Sequence, residues 1–251
     1  MLYLFLLQFL RVLGQQPDAT TIMEKSRELT LMGSLKANIS LIITEKNGLV
    51  RNRSISMVSR SYSDGTEKRL IKFLDPPDIR GTGMLIIDYK TTPDEMWIYL
   101  PALKKTRRIV SSEKGKSFMN SEFTNSDMSS PALSDFRSRH IEGSGMNDVW
   151  IIESIPEGDE KIAEYGFYRK VSYLNKNNYQ INKMEFYDRE NKLFKIIEVV
   201  SVQPGENGKY LISEMKAKNL ANGRSSVIKF TNIIMNAVVD DSAFTLQNLE
   251  R

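Results

Sequence analysis

Residues 72–128 read KFLDPPDIRGTGMLIIDYKTTPDEMWIYLPALKKTRRIVSSEKGKSFMNSEFTNSDM, and they contain the clearest indication of the fold. Three short apolar runs lie in it or at its start, at residues 71–74, 84–89 and 96–100, and Pro, Gly, Asp and Thr residues separate them. Runs of this length that are rich in Ile, Tyr and Trp and bounded by turn residues are typical of adjacent strands. The stretch therefore predicts a β-sheet.

A basic run and a polar segment follow these predicted strands. The basic run contains Lys104, Lys105, Arg107 and Arg108, and residues 111–145 are dominated by Ser, Asn, Asp and Gly with scattered apolar side chains. A long segment without a strand pattern inside a compact domain is usually a functional lid or a disordered loop. Two interpretations stay open: short helices over a cavity mouth, or a solvated connection with a few anchoring side chains. Residues 111–136 are called the flap below.

Three blocks of this region occur in an order and spacing that resemble a known family. The blocks are Phe73 with Pro76, Pro77 and Gly81-Thr82-Gly83, then residues 97–103 with Arg107 and Arg108, then Phe118 and Met119 through residues 121–123 to Asp127. On these blocks the chain resembles the outer-membrane lipoprotein-sorting protein-like family, relatives of the periplasmic lipoprotein carrier and its outer-membrane receptor. It departs from the family at Asn120, where a glycine is expected, and at Asn125-Ser126, where an aromatic-acid pair is expected.

The resemblance implies a fold and a function. The implied fold is mainly β with some α-helix, a large curved antiparallel sheet or unclosed β-barrel with a helical lid. The implied function is that of a monomeric periplasmic carrier, not an enzyme, which binds a lipid or a lipoprotein acyl chain. A membrane transporter of the resistance-nodulation-division type is implied as a partner.

Composition limits the chemistry that the chain can carry. With 251 residues it can bury one sizeable core, and we expect residues 15–251 to form a single domain. The net charge of +4 is too small to indicate a nucleic-acid partner by itself. The lack of cysteine excludes disulfides, zinc–thiolate sites and thiol nucleophiles, and His140 is the only histidine. We therefore expect no metal site and no cofactor.

The N-terminal segment predicts export. Residues 1–14 are mostly apolar but shorter than the roughly 20 residues that a membrane-spanning helix needs, so we interpret them as a signal peptide. The alternative is a buried amphipathic first helix. Because a bacterial lipoprotein requires an N-terminal cysteine for its acyl anchor, the cysteine-free chain is expected to be free in the periplasm.

The remaining pattern predicts one helix and many strands. Residues 17–32 have helical spacing after Pro17-Asp18. Ile39, Leu41 and Ile43 then fall on one face of a predicted strand, with Asn38, Ser40 and Thr44 on the other. Asn-Gly and other turn signals separate further strands at residues 49–60, 149–155, 166–173, 179–187, 193–202, 210–217 and 226–234. Strands at this regular spacing favour one curved antiparallel sheet or a partly open barrel.

Several of these strands are apolar on both faces, so both faces need an apolar cover. One short helix and a polar flap offer little, and a lipid in the concave face would supply the rest. The alternative is that helix and flap close the core completely. The residues that we expect to bind lipid are Phe73, Leu85, Ile87, Trp97, Tyr99, Phe118, Phe123, Met184 and Phe186.

The basic run has two interpretations of equal weight. Lys104, Lys105, Arg107 and Arg108 could contact anionic head groups or an acidic surface of a transporter. They could equally protect a strand edge from pairing with other chains. Three functions follow in order of support: a lipid carrier, an envelope adaptor that docks a transporter through this basic edge without carrying lipid, and a hydrolase that uses carboxylates.

Overall fold

A computed structural model describes residues 16–90, 92–142 and 147–251. The predicted signal peptide, residues 1–14, lies outside the described residues. Within the described part of the chain, no helix is both long enough and apolar enough to span a bilayer.

One antiparallel sheet dominates the structure. In the described residues it has thirteen strands, in the spatial order β6-β5-β4-β3-β2-β1-β13-β12-β11-β10-β9-β8-β7. The strands are β1 (Ser34–Thr44), β2 (Val50–Ser61), β3 (Glu67–Asp75), β4 (Gly83–Asp88), β5 (Glu95–Leu100), β6 (Lys105–Arg108), β7 (Phe136–His140), β8 (Val149–Pro156), β9 (Arg169–Asn175), β10 (Ile181–Tyr187), β11 (Leu193–Pro204), β12 (Tyr210–Asn219) and β13 (Ser225–Met235). β6 and β7 are the two edges, so the sheet is curved but unclosed. The predicted fold class is confirmed.

The two halves of the chain meet at the pair β1–β13. Ile39 faces Phe230 and Leu41 faces Ile228 across this pair. Leu41 and Ile43 are fully buried, as the two-residue spacing of Ile39, Leu41 and Ile43 predicts. Directly opposed residues on neighbouring strands lie on the same face of the sheet. The pairing register therefore determines which side chains of each strand point inward. One such row is Ala37, Met57, Ile71, Met84 and Ile98, from β1 to β5.

Four helices accompany the sheet in the described residues. They are α1 (Ala19–Thr30), α2 (Ser111–Lys114), α3 (Asp159–Tyr165) and α4 (Leu246–Leu249). Asp18 caps α1 by accepting a hydrogen bond from the backbone N–H of Thr21, which confirms the predicted helix start. Ile22 and Met23 of α1 pack with Ile152 and Leu174 of the sheet.

The helix α3 is a correction to the sequence interpretation, which predicts a strand from residue 166. Gly166 instead ends α3 with φ +75, and β9 begins only at Arg169. A seven-residue helix spans about two turns, which is too short for its apolar spacing to be recognised. The buried ion pair between Glu164 and Lys114, 2.7 Å between Oε1 and Nζ, joins α3 to α2.

The C-terminal segment covers the outer face of β3 and β4. Val239, Phe244 and Leu249 are buried there against Leu70 and Leu85. Gly83 permits this approach, because a Cβ at this position would lie 2.7 Å from the side chain of Leu249. The apolar residues on the outer face of these strands are therefore covered by protein, whereas the sequence interpretation left their cover to a lipid.

Candidate functional site: an apolar cavity beneath a polar loop

The concave face encloses a first cavity of about 270 Å³. Its walls are the inward side chains of β1–β3, β12 and β13, the end of α1 and part of the flap. Apolar side chains predominate: Leu31, Met32, Leu35, Ile39, Ile55, Met57, Ile71, Phe118, Met128, Leu211, Ile212, Met215, Ile228 and Phe230. Unbranched methionines adapt to ligands of irregular shape, so these walls suit a flexible chain.

A second cavity of about 230 Å³ adjoins the first under α1. Strands β7–β12 supply its floor, with Met184, Phe186 and Ile197 among the apolar side chains. The two cavities share six lining residues: Thr30, Asp127, Ser129, Ser130, Ile212 and Met215. Together they form an apolar channel along the concave face, and residues 126–131 of the flap run over the place where they meet. These residues are called the cavity loop.

The flap has a firmly packed part that precedes the cavity loop. Phe118 and Phe123 are each 1% exposed and belong to the main core, and the Phe118 ring lies 5.9 Å from that of Phe73. Glu122 is held by an ion pair to Arg224, 2.9 Å from Oε1 to Nη1. This part of the flap is therefore structural.

The cavity loop is held by polar contacts. The guanidinium of Arg69 donates to the carbonyl oxygen of Met128 and, at 2.7 Å, to Oγ of Ser130. The backbone N–H of Ser130 donates to Oδ2 of Asp88 at 3.0 Å, and its hydroxyl lies 3.2 Å from Oε2 of Glu67. These contacts come from three residues of β3 and β4, called the acid–arginine cluster below: Glu67, Arg69 and Asp88. The cluster holds the loop through the contacts above.

Two carboxylates share one guanidinium in the acid–arginine cluster. Arg69 pairs with Glu67 at 2.5 Å and with Asp88 at 3.2 Å. Asp88 is fully buried, and burial, with Glu67 and Asp94 close by, outweighs Arg69 and raises its pKa to about 7. The carboxyl group of Asp88 therefore gains or loses a proton near neutral pH, and the net charge of the cluster changes with it.

A second polar contact anchors the other end of the cavity loop. Nζ of Lys195, which is 4% exposed, lies 2.9 Å from Oδ2 of Asp127 and 4.3 Å from the ring centroid of Phe186. Among the residues that the structure describes, no group of three or more His, Cys, Asp or Glu side chains is arranged to hold a metal ion.

Comparison with known proteins identifies a matching family and solved structures of similar architecture. A family model described as "-like: Uncharacterized protein" matches residues 65–251. An outer membrane lipoprotein-sorting protein domain from Vibrio parahaemolyticus is 26% identical, with a TM-score of 0.83 over 93% of this chain and 98% of that one. The chain belongs to the outer-membrane lipoprotein-sorting protein-like family.

Two further solved structures have a similar fold. A DUF1329 family protein from Desulfovibrio piger is 25% identical, with a TM-score of 0.81 over 92% of this chain and 97% of that one. A LolA superfamily protein from Nitrosomonas europaea, at 15% identity, shares the fold with a TM-score of 0.70 over 93% of this chain and 100% of that one. No curated protein matches the sequence significantly.

The residues that the sequence predicts as lipid-binding lie in three different environments. Phe118, Met184 and Phe186 line the cavities of this family member, while Phe73 and Phe123 are buried in the core behind the lining. The other four lie on the outer face, packed around the C-terminal segment: Leu85, Ile87, Trp97 and Tyr99. Since β4 is apolar at every position from Met84 to Ile87, its sequence does not reveal which residues face inward.

Several lining residues were missed by the sequence interpretation. β12 and β13 contribute Leu211, Met215, Ile228 and Phe230, and β9 contributes Lys170. Alternation in β13 could have indicated Ile228, whose neighbours Val227 and Lys229 are more exposed. Nothing in the sequence alone indicates that Lys170 reaches a cavity.

The basic run begins at Lys104 and continues through the edge strand β6. Lys104, Lys105, Arg107 and Arg108 are all exposed, and Arg107 pairs with Glu113 at 2.6 Å. A charged edge strand suits both contact with an anionic surface and protection against pairing with another sheet. Both interpretations of the run therefore stay predictions.

Proposed function

We propose that this protein is a periplasmic carrier that holds a lipid or a lipoprotein acyl chain in the apolar channel and transfers it across the envelope. The observation that carries the proposal is the pair of adjoining cavities, lined mainly by apolar side chains and crossed by a polar loop. The family and the similar domain named for lipoprotein sorting support it.

The channel can supply the affinity that a carrier needs. Burying one methylene contributes roughly 0.8 kcal/mol, so a long acyl chain gains on the order of 10 kcal/mol before the losses of association. A carrier must also release its cargo, and this requires a cover that opens without unfolding the core. Because the cavity loop is held chiefly by polar contacts, water can replace them when it opens.

Opening is confined to the cavity loop in this proposal. Phe118 and Phe123 stay in the core, and the loop separates from Arg69 and Lys195. The concave face is then exposed to a membrane donor, takes up an acyl chain and delivers it to a receptor by the reverse movement. No covalent step is involved.

A neutral acyl probe tests the proposal. The methyl ester of cis-parinaric acid becomes fluorescent in an apolar site, and Met215 lines both cavities. We expect Met215→Trp to weaken binding of the ester about ten-fold or more, because the larger ring occupies the channel. The matched control, Val200→Trp, changes a side chain that is 54% exposed and should bind like the parent protein.

Each variant's thermal unfolding would be recorded beside its binding curve, so that lost binding is not confused with lost folding. Equal binding by both folded tryptophan variants, or no binding of the ester by the parent protein, would contradict the carrier proposal.

A further inference from the structure

Three polar side chains form one corner of the second cavity. Ser138 of β7 faces Ser154 of β8, and Ser154 faces Lys170 of β9, so the three lie in one row on the inward face. All three line the cavity. The two hydroxyl oxygens are 2.9 Å apart, so one hydroxyl donates to the other and the second O–H is left to donate elsewhere. This corner interrupts an otherwise mainly apolar wall.

Lys170 brings a charge into this corner without a carboxylate partner. Its Nζ lies 5.2 Å from the ring centroid of Phe136 and 5.7 Å from that of Phe167, and in the described part of the chain it forms no salt bridge. Asp127, the acid whose charge acts on Lys170, is already paired with Lys195 at 2.9 Å. The ammonium therefore lies near two aromatic rings and has no carboxylate partner.

The charges around the second cavity do not balance. Among the lining residues that the structure describes, Arg27 and Lys170 are cationic and Asp127 is the one acid. Asp127 is moreover already paired with Lys195, which is not a lining residue. Arg27 donates to the carbonyl oxygen of Pro131 at 3.2 Å, not to a carboxylate. Burial lowers the pKa of Lys170 from 10.5 to about 8, so most of the amine is still protonated at neutral pH. An anion in the corner would compensate this excess.

We propose that the second cavity binds the anionic head of an acyl amphiphile, whose oxyanion pairs with Nζ of Lys170 and accepts the one hydrogen bond that the Ser138–Ser154 hydroxyl pair has left to donate. The acyl chain then runs past Met184 and Met215 into the first cavity. This inference rests on the proposed carrier function and adds the chemical class of the cargo: a carboxylate or phosphate head on a long chain.

The test compares an acid with its neutral ester. At neutral pH we expect cis-parinaric acid to bind the parent protein about ten-fold more tightly than its methyl ester, because only the acid forms a charge-assisted pair. Lys170→Met should reduce this ratio to about two-fold or less, whereas Lys170→Arg should retain it. Lys216→Met, at an exposed lysine of β12, is the matched control and should leave the ratio unchanged.

Competition identifies the source of the oxyanion. Palmitate and hexadecyl phosphate would displace bound cis-parinaric acid in separate titrations, and displacement by either supports the proposal and names the head. Displacement by acetate or inorganic phosphate at the same concentrations would instead indicate a site for small anions and overturn it.

Different experimental outcomes would overturn the head-group site and the carrier function. Equal affinity of the parent protein for acid and ester overturns the head-group site and leaves the carrier function intact, and this comparison needs no variant to fold. The head-group site is likewise overturned if Lys170→Met keeps the parent ratio. Binding of neither probe contradicts both proposals.

Discussion

Asp88 shows how burial changes the behaviour of a single residue. Its carboxylate is fully buried beside Arg69, yet Glu67 already neutralises the same guanidinium. Desolvation therefore dominates and raises the pKa of Asp88 from 3.8 to about 7. Between these two values the folded protein binds a proton that the unfolded chain has released, so stability falls as the pH rises across that interval.

We expect this titration to appear in unfolding experiments. The free energy of unfolding, measured with urea from pH 5 to pH 8, should fall by about 1–3 kcal/mol from this group, and Asp88→Asn should remove that part of the slope. Glu198→Gln, at an exposed acid of β11, is the matched control and should keep the parent slope. Identical slopes for the parent protein and Asp88→Asn would show that Asp88 does not titrate in this range.

The flap combines a fixed part with a releasable one. Phe118 and Phe123 anchor the fixed part through the main core, while the cavity loop depends on hydrogen bonds and ion pairs. Ser130 is the residue of the loop that contacts all three members of the acid–arginine cluster. Removing its hydroxyl should therefore loosen the loop while leaving Glu67, Arg69 and Asp88 paired with one another.

Hydrogen exchange can measure this loosening. Ser130→Ala loses contacts worth about 1 kcal/mol, so amides of the cavity loop should exchange about five-fold faster, with global stability nearly unchanged. Ser129→Ala is the matched control, since its hydroxyl donates to the carbonyl oxygen of Ser126 within the loop. Exchange that is equally fast in both variants would mean that the cluster does not hold the loop.

The architecture of the sheet could be predicted from the sequence because its signals are local. Turn residues mark the hairpins, and the alternation of Ile39, Leu41 and Ile43 identifies the inward face of β1. α3 escaped prediction because a helix of seven residues has too little periodicity to recognise. The packing of the C-terminal segment over β3 and β4 could not be predicted, because it depends on the close approach of Leu249 to Gly83. These two residues are far apart in sequence.

The candidate site could be predicted only in part, for a physical reason. Which residues of β4 and β5 face inward depends on strand register, which passes from Met57 through Ile71 to Met84. A shift of one residue would move every side chain to the other face, and an apolar run such as β4 does not reveal the choice. Leu85 and Trp97 were therefore expected in the cavity but lie on the outer face.

The function of the whole molecule depends on whether the folded protein carries an acyl lipid in its channel. Native mass spectrometry of protein purified from a bacterial periplasm without detergent, before and after organic extraction, tests this most directly. We predict a discrete added mass that extraction recovers as lipid, and a much smaller lipid-bound fraction for Met215→Trp, whose larger ring obstructs the channel. Parent protein that shows no added mass, even after incubation with lipid vesicles, would contradict the carrier function.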